Sequence, residues 1–141
     1  MALLKDKDKE FLAQEFSKLT GPVQLIYFTQ EHECPYCEVT SQIVQEIAGL
    51  SPKIAVSVYD FVADKETAEQ YRVDKIPAIA VVGAKDYGIR FYGVPSGYEF
   101  TSLIESIKDA SAGTTSLSPA TKEALAKLDK PVHIQVYSTP T

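Results

Sequence analysis

The sequence predicts an α/β fold in which one mixed four-stranded sheet is flanked by helices. Between residues 23 and 110, segments with strand periodicity alternate with segments of helical periodicity in the order β-α-β-α-β-β-α. A βαβ unit gives parallel strands with a right-handed crossover, whereas a ββ hairpin gives an antiparallel pair. One mixed sheet with helices on its faces accommodates both arrangements.

The first half of the chain contains three predicted helices and two predicted strands. Apolar residues at helical spacing predict helices over residues 5–19 and 35–50, and a short third helix is expected over 65–72. Residues 23–28 (VQLIYF) are a nearly continuous apolar run, which is typical of a strand buried on both faces. Residues 54–61 are the second predicted strand.

The second half begins with a predicted hairpin. The runs PAIAVVG (77–83) and YGIRFYG (87–93) flank a Lys-Asp turn, so we expect them to pair as antiparallel strands. A helix with an apolar stripe follows over residues 97–110. After a polar linker, a last helix is expected over residues 119–128, because Ser118 is a good N-cap and a proline occupies the first helical position.

The C-terminal region repeats an earlier stretch of the sequence. KPVHIQVYST (130–139) matches GPVQLIYFT (21–29), since both run from Pro-Val through strand-forming residues to Ser or Thr. Apolar and polar residues alternate over 132–137, which predicts a further strand. Left free, such a strand would expose apolar surface and unpaired backbone groups, so we expect it to pair with a sheet edge, including one in a second copy of the chain.

Composition argues against several classes of function. The 141 residues are 45% apolar, enough for one buried core, and the net charge of −5 without a long Lys/Arg run argues against nucleic acid and anionic membrane surfaces as partners. No apolar run approaches the roughly 20 residues of a membrane span. The N-terminus has no signal-peptide pattern, so a cytoplasmic protein is expected. The absence of Asn and the single Met indicate a thermophilic source.

The chemistry of the sequence is concentrated in HECPYCE, which holds its only two cysteines, Cys34 and Cys37. A Cys-x-x-Cys between a strand and a helix predicts a redox pair. If Cys34 is the helix N-cap and Cys37 lies in the first turn, the sulfur atoms come within disulfide reach and the helix dipole favours the Cys34 thiolate. Pro35 suits the first helical position. Cys37 should be more buried and should resolve the mixed disulfide formed at Cys34.

Other interpretations of this motif stay open. The two cysteines could be ordinary buried residues. With His32 they could also supply three zinc ligands, although no fourth ligand is evident and no metal is predicted. An iron–sulfur cluster shared between two chains is a comparable alternative.

A second feature that favours redox chemistry is Ile76-Pro77, after a helix and before a strand. A proline at a strand start is common. In this element order, however, we expect a cis proline beside the cysteine loop that exposes the Ile76 backbone to an extended substrate.

These motifs resemble a known family. Strand–CPYC–helix with a later IPA is similar to the thioredoxin superfamily, and Cys-Pro-Tyr-Cys is typical of glutaredoxins. KDYGIRFYGVPSGYEF resembles the glutaredoxin-like protein disulfide oxidoreductases of thermophilic archaea and bacteria, which contain two thioredoxin-fold units in tandem. The resemblance implies a thioredoxin fold for residues 1–110. It also implies that residues 111–141 are the linker, helix and first strand of a second unit, in a chain that is a fragment.

The resemblance implies a thiol–disulfide oxidoreductase that reduces, forms or exchanges protein disulfides without a cofactor. Cys34 and Cys37 would be the catalytic pair. Asp60, at the end of the second strand, is the best candidate for a proton relay. The resemblance further implies substrate binding by Pro35, Tyr36, Ile76, Pro77 and Gly93.

Two alternatives to this function are a glutathione-dependent glutaredoxin and a substrate-docking module that serves a catalytic second unit. The segments KIPA and GVPSGYEF depart from the glutathione-binding pattern of ordinary glutaredoxins. A thioredoxin-reductase-like protein or glutathione is expected as the electron donor.

Overall fold

Four strands form one mixed sheet in the computed structural model, which describes residues 2–139 of the chain. They are β1 (Val23–Thr29), β2 (Ile54–Asp60), β3 (Ala78–Val82) and β4 (Asp86–Tyr92). The spatial order is β2-β1-β3-β4, with β1 parallel to β2 and antiparallel to β3, and with β3 antiparallel to β4. The predicted mixed sheet and its hairpin are confirmed.

Five helices accompany the sheet within the described residues. They are α1 (Asp6–Phe16), α2 (Cys37–Ala48), α3 (Lys65–Gln70), α4 (Tyr98–Ala112) and α5 (Pro119–Ala126). Side chains of α1, α2 and α4 pack in one apolar cluster on one face of the sheet, and α3 contributes to a second cluster on the opposite face.

Burial on both faces explains why the central strand β1 is almost entirely apolar between Val23 and Phe28. Leu25 and Tyr27 belong to the cluster beneath α1, α2 and α4, whereas Ile26 and Phe28 belong to the cluster on the α3 face. Side chains of a strand alternate between faces, so a strand covered on both faces is apolar on both of its sides in the buried part. Burying each large side chain contributes about 1.5–3 kcal/mol, so this strand is the rigid centre from which the cysteine loop departs.

The end of α4 lies two residues beyond its predicted end. Gly21 donates its N–H to the hydroxyl oxygen of Ser111 at 3.0 Å, and this hydroxyl donates to the Gly21 carbonyl at 2.7 Å. Ser111 is 9% exposed. These contacts with the segment before β1 hold the last turn of α4 against the domain, so the exposed linker begins after Ala112.

The N-terminal segment is tied to α2 by a single carboxylate. Glu46 accepts the backbone N–H groups of Leu3 and Leu4 at 2.7 and 3.0 Å, and Lys9 lies 3.4 Å from the same side chain. These backbone donors, reinforced by Lys9, lower the pKa of Glu46 to about 2. The contact fixes the start of α1 beside α2.

The C-terminal region confirms one expectation and corrects another. The Ser118 hydroxyl accepts the N–H of Thr121 at 3.2 Å, and Pro119 is the first residue of α5, as predicted. The expected strand over 132–137 does not form. Residues 131–139 have no regular secondary structure and are exposed. A strand needs a neighbour for its backbone N–H and C=O groups, and no edge of this sheet pairs with the segment.

None of the helices within residues 2–139 has the length and apolar character needed to cross a membrane.

Candidate active site

The two cysteines lie at the junction between the central strand and the helix that follows it. Cys34 and Cys37 form a disulfide, with their Cα atoms 5.4 Å apart. The loop that carries Cys34 follows β1, and Cys37 is the first residue of α2. The expected proximity of the two sulfur atoms is confirmed, and the pair can cycle between a dithiol and a disulfide.

The start of α2 differs from the sequence prediction. Cys37 donates its N–H to the carbonyl of Cys34 at 3.2 Å, and Tyr36, with φ −103° and ψ −3°, is the N-cap. These angles suit the third residue of a type I turn, which places Pro35 at the second residue, where proline is favoured. The predictions that Cys34 is the N-cap and that Pro35 is the first helical residue are therefore wrong. A closed four-residue turn precedes the helix.

The two cysteines differ in exposure in the order expected from the sequence. Cys37 is 4% exposed, whereas Cys34 is half-buried and faces a shallow surface depression. Tyr36 is 62% exposed beside them. The depression is lined by Thr29, Gln30, Glu31, Cys34, Pro35, Cys37, Glu38, Ser41 and Gln42. An incoming sulfur atom therefore reaches Cys34 more easily than Cys37, while the assignment of roles stays a prediction.

Sequence reasoning did not find Tyr27, which lies under the pair. Its side chain is fully buried, and its hydroxyl donates a hydrogen bond to the backbone carbonyl of Cys37 at 2.6 Å. Burial raises the pKa of Tyr27 above its ordinary value, so the hydroxyl stays a donor at neutral pH. A signal was present, because a tyrosine in an otherwise apolar buried strand requires a partner for its hydroxyl.

The predicted substrate-binding residues lie at the same end of the sheet as the cysteine loop. The Ile76–Pro77 peptide bond is cis, as predicted. Ala78 pairs with Phe28 in the β1–β3 register, so Pro77 lies beside the end of β1. Gly93 donates its N–H to the Pro77 carbonyl at 2.9 Å. The structure therefore brings Pro77 and Gly93 into direct contact next to the strand that leads to Cys34.

Asp60 also lies at this end of the sheet, since it pairs with Thr29 in the β1–β2 register. Its carboxylate, however, accepts the backbone N–H groups of Val62 and Ala63 at 2.9 and 2.8 Å. Asp60 is not among the residues that line the depression around Cys34. Through these hydrogen bonds Asp60 stabilises the turn after β2. The proton-relay role of Asp60 stays a prediction.

The surroundings of Cys34 are acidic. Glu31, Glu33 and Glu38 are exposed, and within residues 2–139 none of the three forms an ion pair. Two of them line the depression with Cys34. We call these three residues the acidic rim. Over the same part of the chain, no three His, Cys, Asp or Glu side chains are grouped so as to hold a metal ion.

Comparisons with known proteins agree with this geometry. No family model matches the chain. A protein of Methanothermobacter thermautotrophicus described as a probable thioredoxin is 38% identical over 77 residues, which are 54% of this chain and 82% of that protein. The chain belongs to the thioredoxin family. A second probable thioredoxin, from Methanothermobacter marburgensis, is 36% identical over 77 residues.

Two solved structures superpose well on the chain. A protein disulfide oxidoreductase from Aeropyrum pernix is 25% identical with a TM-score of 0.79, over 88% of this chain and 55% of that one. The alkylhydroperoxide reductase component AhpF of Enterococcus faecalis shares the fold, at 23% identity and a TM-score of 0.81, over 90% of this chain and 62% of that one. The chain thus spans little more than half the length of these proteins. The expected thioredoxin fold and the resemblance to archaeal protein disulfide oxidoreductases are confirmed.

The family and the cysteine geometry together define the chemistry. The chain is a thioredoxin-like thiol–disulfide oxidoreductase whose redox centre is the Cys34–Cys37 pair.

Proposed function

We propose that the chain exchanges disulfides with protein substrates, with Cys34 as the nucleophile and Cys37 as the resolving thiol. The difference in exposure between the two sulfurs carries this assignment. The Cys34 thiolate attacks a substrate disulfide, a bond forms between the two sulfurs, and one substrate thiolate leaves. The Cys37 thiolate then attacks Cys34 Sγ and releases the second substrate thiolate. Two electrons pass from the dithiol to the substrate, and the Cys34–Cys37 disulfide remains.

Substrate binding is proposed for the surface that adjoins the pair. An extended substrate segment would hydrogen-bond to the backbone of Ile76, which is half-buried next to the buried Pro77. Pro35 and Tyr36 are exposed on the other side of Cys34, and Gly93 is joined to Pro77. These residues offer backbone groups and an aromatic surface, which suit recognition of an extended polypeptide.

The electron donor and compartment are proposed on chemical grounds. An external dithiol protein of the thioredoxin-reductase type, or glutathione, would regenerate the reduced pair. Reduction of protein disulfides fits the cytoplasm, where thiols are kept reduced. A thermophilic source also remains a proposal, supported by the absence of Asn.

A trapping experiment tests the assignment of the two cysteines. Cys37→Ser, reduced and mixed with a disulfide-bonded protein such as insulin, should accumulate a mixed disulfide through Cys34, because no thiol is left to resolve it. Mass spectrometry after acid quench detects the adduct. Cys34→Ser, the matched control, should give none. Equal adducts from both variants, or an adduct with Cys34→Ser alone, would contradict the proposed roles.

We further propose that residues 111–141 open a second thioredoxin-like unit that follows the unit formed by residues 1–110. The repeat of Pro-Val and strand residues supports this. The match to the archaeal oxidoreductase also supports a second unit. The superposed part is 88% of this chain, which is more than residues 1–110 alone could account for. Residues 132–137 would become a strand on pairing with a sheet edge, including that of a second copy of the chain.

A further inference from the structure

The hydroxyl of Tyr27 is the contact that joins the buried cysteine to the rigid centre of the sheet. The backbone of Tyr27 pairs with Val58 on β2 and with Ile79 on β3, so its position is fixed from both sides of the strand. Its hydroxyl donates to the carbonyl oxygen of Cys37 at 2.6 Å, and both residues are buried. We propose that Tyr27 is a positioning residue that aligns Cys37 for the resolving step of disulfide exchange, an inference that rests on the proposed roles of the two cysteines.

Among the described residues, the other hydrogen bonds of the first turn of α2 are local, while Val39 packs against the apolar cluster. The Thr40 hydroxyl and the Thr40 N–H both donate to the Tyr36 carbonyl, at 2.8 and 3.1 Å, and the Cys37 N–H donates to Cys34. These bonds keep the shape of the turn but do not place it relative to the sheet. Among the hydrogen bonds that the described residues make in this turn, the Tyr27 bond is the one that comes from the central strand.

This contact matters most when the disulfide is absent. In the oxidised chain the covalent bond itself fixes Cys37 beside Cys34. In the mixed disulfide between Cys34 and a substrate, that constraint is gone, and Cys37 must still reach Cys34 Sγ in line with the breaking bond. A donor on a rigid strand lowers the freedom of the Cys37 backbone and so raises the effective concentration of its thiol.

The step itself needs no co-reactant beyond those of the exchange. Cys37 loses its proton to solvent, its sulfur forms a bond to Cys34 Sγ, and the Cys34–substrate S–S bond breaks. The leaving substrate thiolate takes up a proton from water. Tyr27 keeps its own proton throughout, because burial raises its pKa and it acts only as a donor to the carbonyl.

The variant Tyr27→Phe removes the hydroxyl and keeps the aromatic ring. A neutral aromatic disulfide used as substrate allows the attack by Cys34 and the resolution by Cys37 to be followed as separate steps. Reduced chain mixed with 4,4′-dithiodipyridine releases one chromophore when Cys34 attacks and a second when Cys37 resolves the adduct. In stopped flow, we expect the second phase of Tyr27→Phe to be slowed about three- to tenfold, which is the range for one lost hydrogen bond. The first phase should stay within about twofold of the wild-type rate.

Tyr59→Phe is the matched control. Tyr59 stacks on Phe28 on the opposite face of the sheet from Tyr27, with ring centroids 5.8 Å apart. It should change neither phase. In glutathione redox buffers, Tyr27→Phe should also make the disulfide easier to reduce by a similar factor, which is about 15–30 mV for this two-electron couple.

The outcomes separate this inference from the proposed function. A wild-type chain without a first phase would overturn the proposed function itself. A normal first phase with an unchanged second phase and redox potential in Tyr27→Phe would overturn only the positioning role. Equal slowing of both phases, or a variant that does not fold, would assign the hydroxyl to general stability and would also overturn it.

Discussion

The carboxylate of Glu46 should make the stability of the chain depend on pH in a defined window. Glu46→Gln keeps the size of the side chain but removes its negative charge. That charge accepts the backbone N–H groups of Leu3 and Leu4 and pairs with Lys9. The lowering of the pKa from 4.5 to about 2 corresponds to at most ~3 kcal/mol. Solvent around this partly exposed group screens the interaction, which leaves about 1–2 kcal/mol.

The direction of this pH dependence follows from the protonation state of Glu46 that the folded chain prefers. Because the folded pKa is depressed, the contribution is fully present above the unfolded value near 4.5 and is lost as the pH falls toward about 2. Urea unfolding at pH 7 should therefore show Glu46→Gln less stable by about 1–2 kcal/mol. The difference between wild type and variant should shrink steadily between pH 4.5 and 2.5.

A control variant separates this contact from ordinary surface charge. Glu69→Gln removes an exposed partner of Lys65, 3.7 Å away, and should cost less than about 0.5 kcal/mol. A Glu46→Gln deficit of the same size at pH 3 and pH 7, or no deficit at pH 7, would refute the linkage. Since Glu46 lies outside the depression around Cys34, the first phase of the disulfide reaction should not change.

Two further predictions concern the surface of the chain. The acidic rim should favour cationic substrates: a Lys-flanked peptide disulfide should react about three- to tenfold faster than its Glu-flanked counterpart at low salt. Replacing all three rim residues with Gln, or adding 0.5 M salt, should abolish this preference, and a preference that survives both changes would exclude the rim as its source. Removing residues 116–141, which leaves α4 and Ser111 intact, should keep Cys34 reactive and weaken any self-association measured by sedimentation. Unaltered association of the truncated chain would show that the tail does not cause self-association. Hydrogen exchange that finds residues 132–137 unprotected at every chain concentration would show the same.

The sequence was most informative where one local rule decides the structure. The strand β1 was predictable because burial on both faces favours a nearly continuous apolar run. The start of α5 was predictable because Ser118 and Pro119 suit the cap and the first helical position, and no distant residue is involved.

The start of α2 was not predictable from Pro35. Proline fixes φ near −65°, and this value suits both the first residue of a helix and the second residue of a type I turn. The sequence therefore permits a helix from Pro35 or a turn followed by a helix from Cys37. The structure contains the turn, which the Cys37 N–H closes onto the carbonyl of Cys34.

The tail shows the converse limit of local patterns. Residues 132–137 have the alternation of a strand, but their apolar side chains stay exposed and their backbone has no strand beside it. Alternation describes what a segment can do once it has a neighbour, and a neighbour is a property of the whole assembly. The same reasoning applies to Glu46, whose backbone donors Leu3 and Leu4 lie more than 40 positions away in the sequence.

The active site combines a local motif with a geometry that the sheet imposes. Spacing alone brings Cys34 and Cys37 together, and that part of the site was visible in the sequence. The position of Pro77 depends instead on the pairing of Ala78 with Phe28. A slip of one residue in this register would reverse the faces of β3 and move Pro77 away from the end of β1. The core residues that fix the register are therefore also the residues that assemble the site, and Tyr27 belongs to both groups.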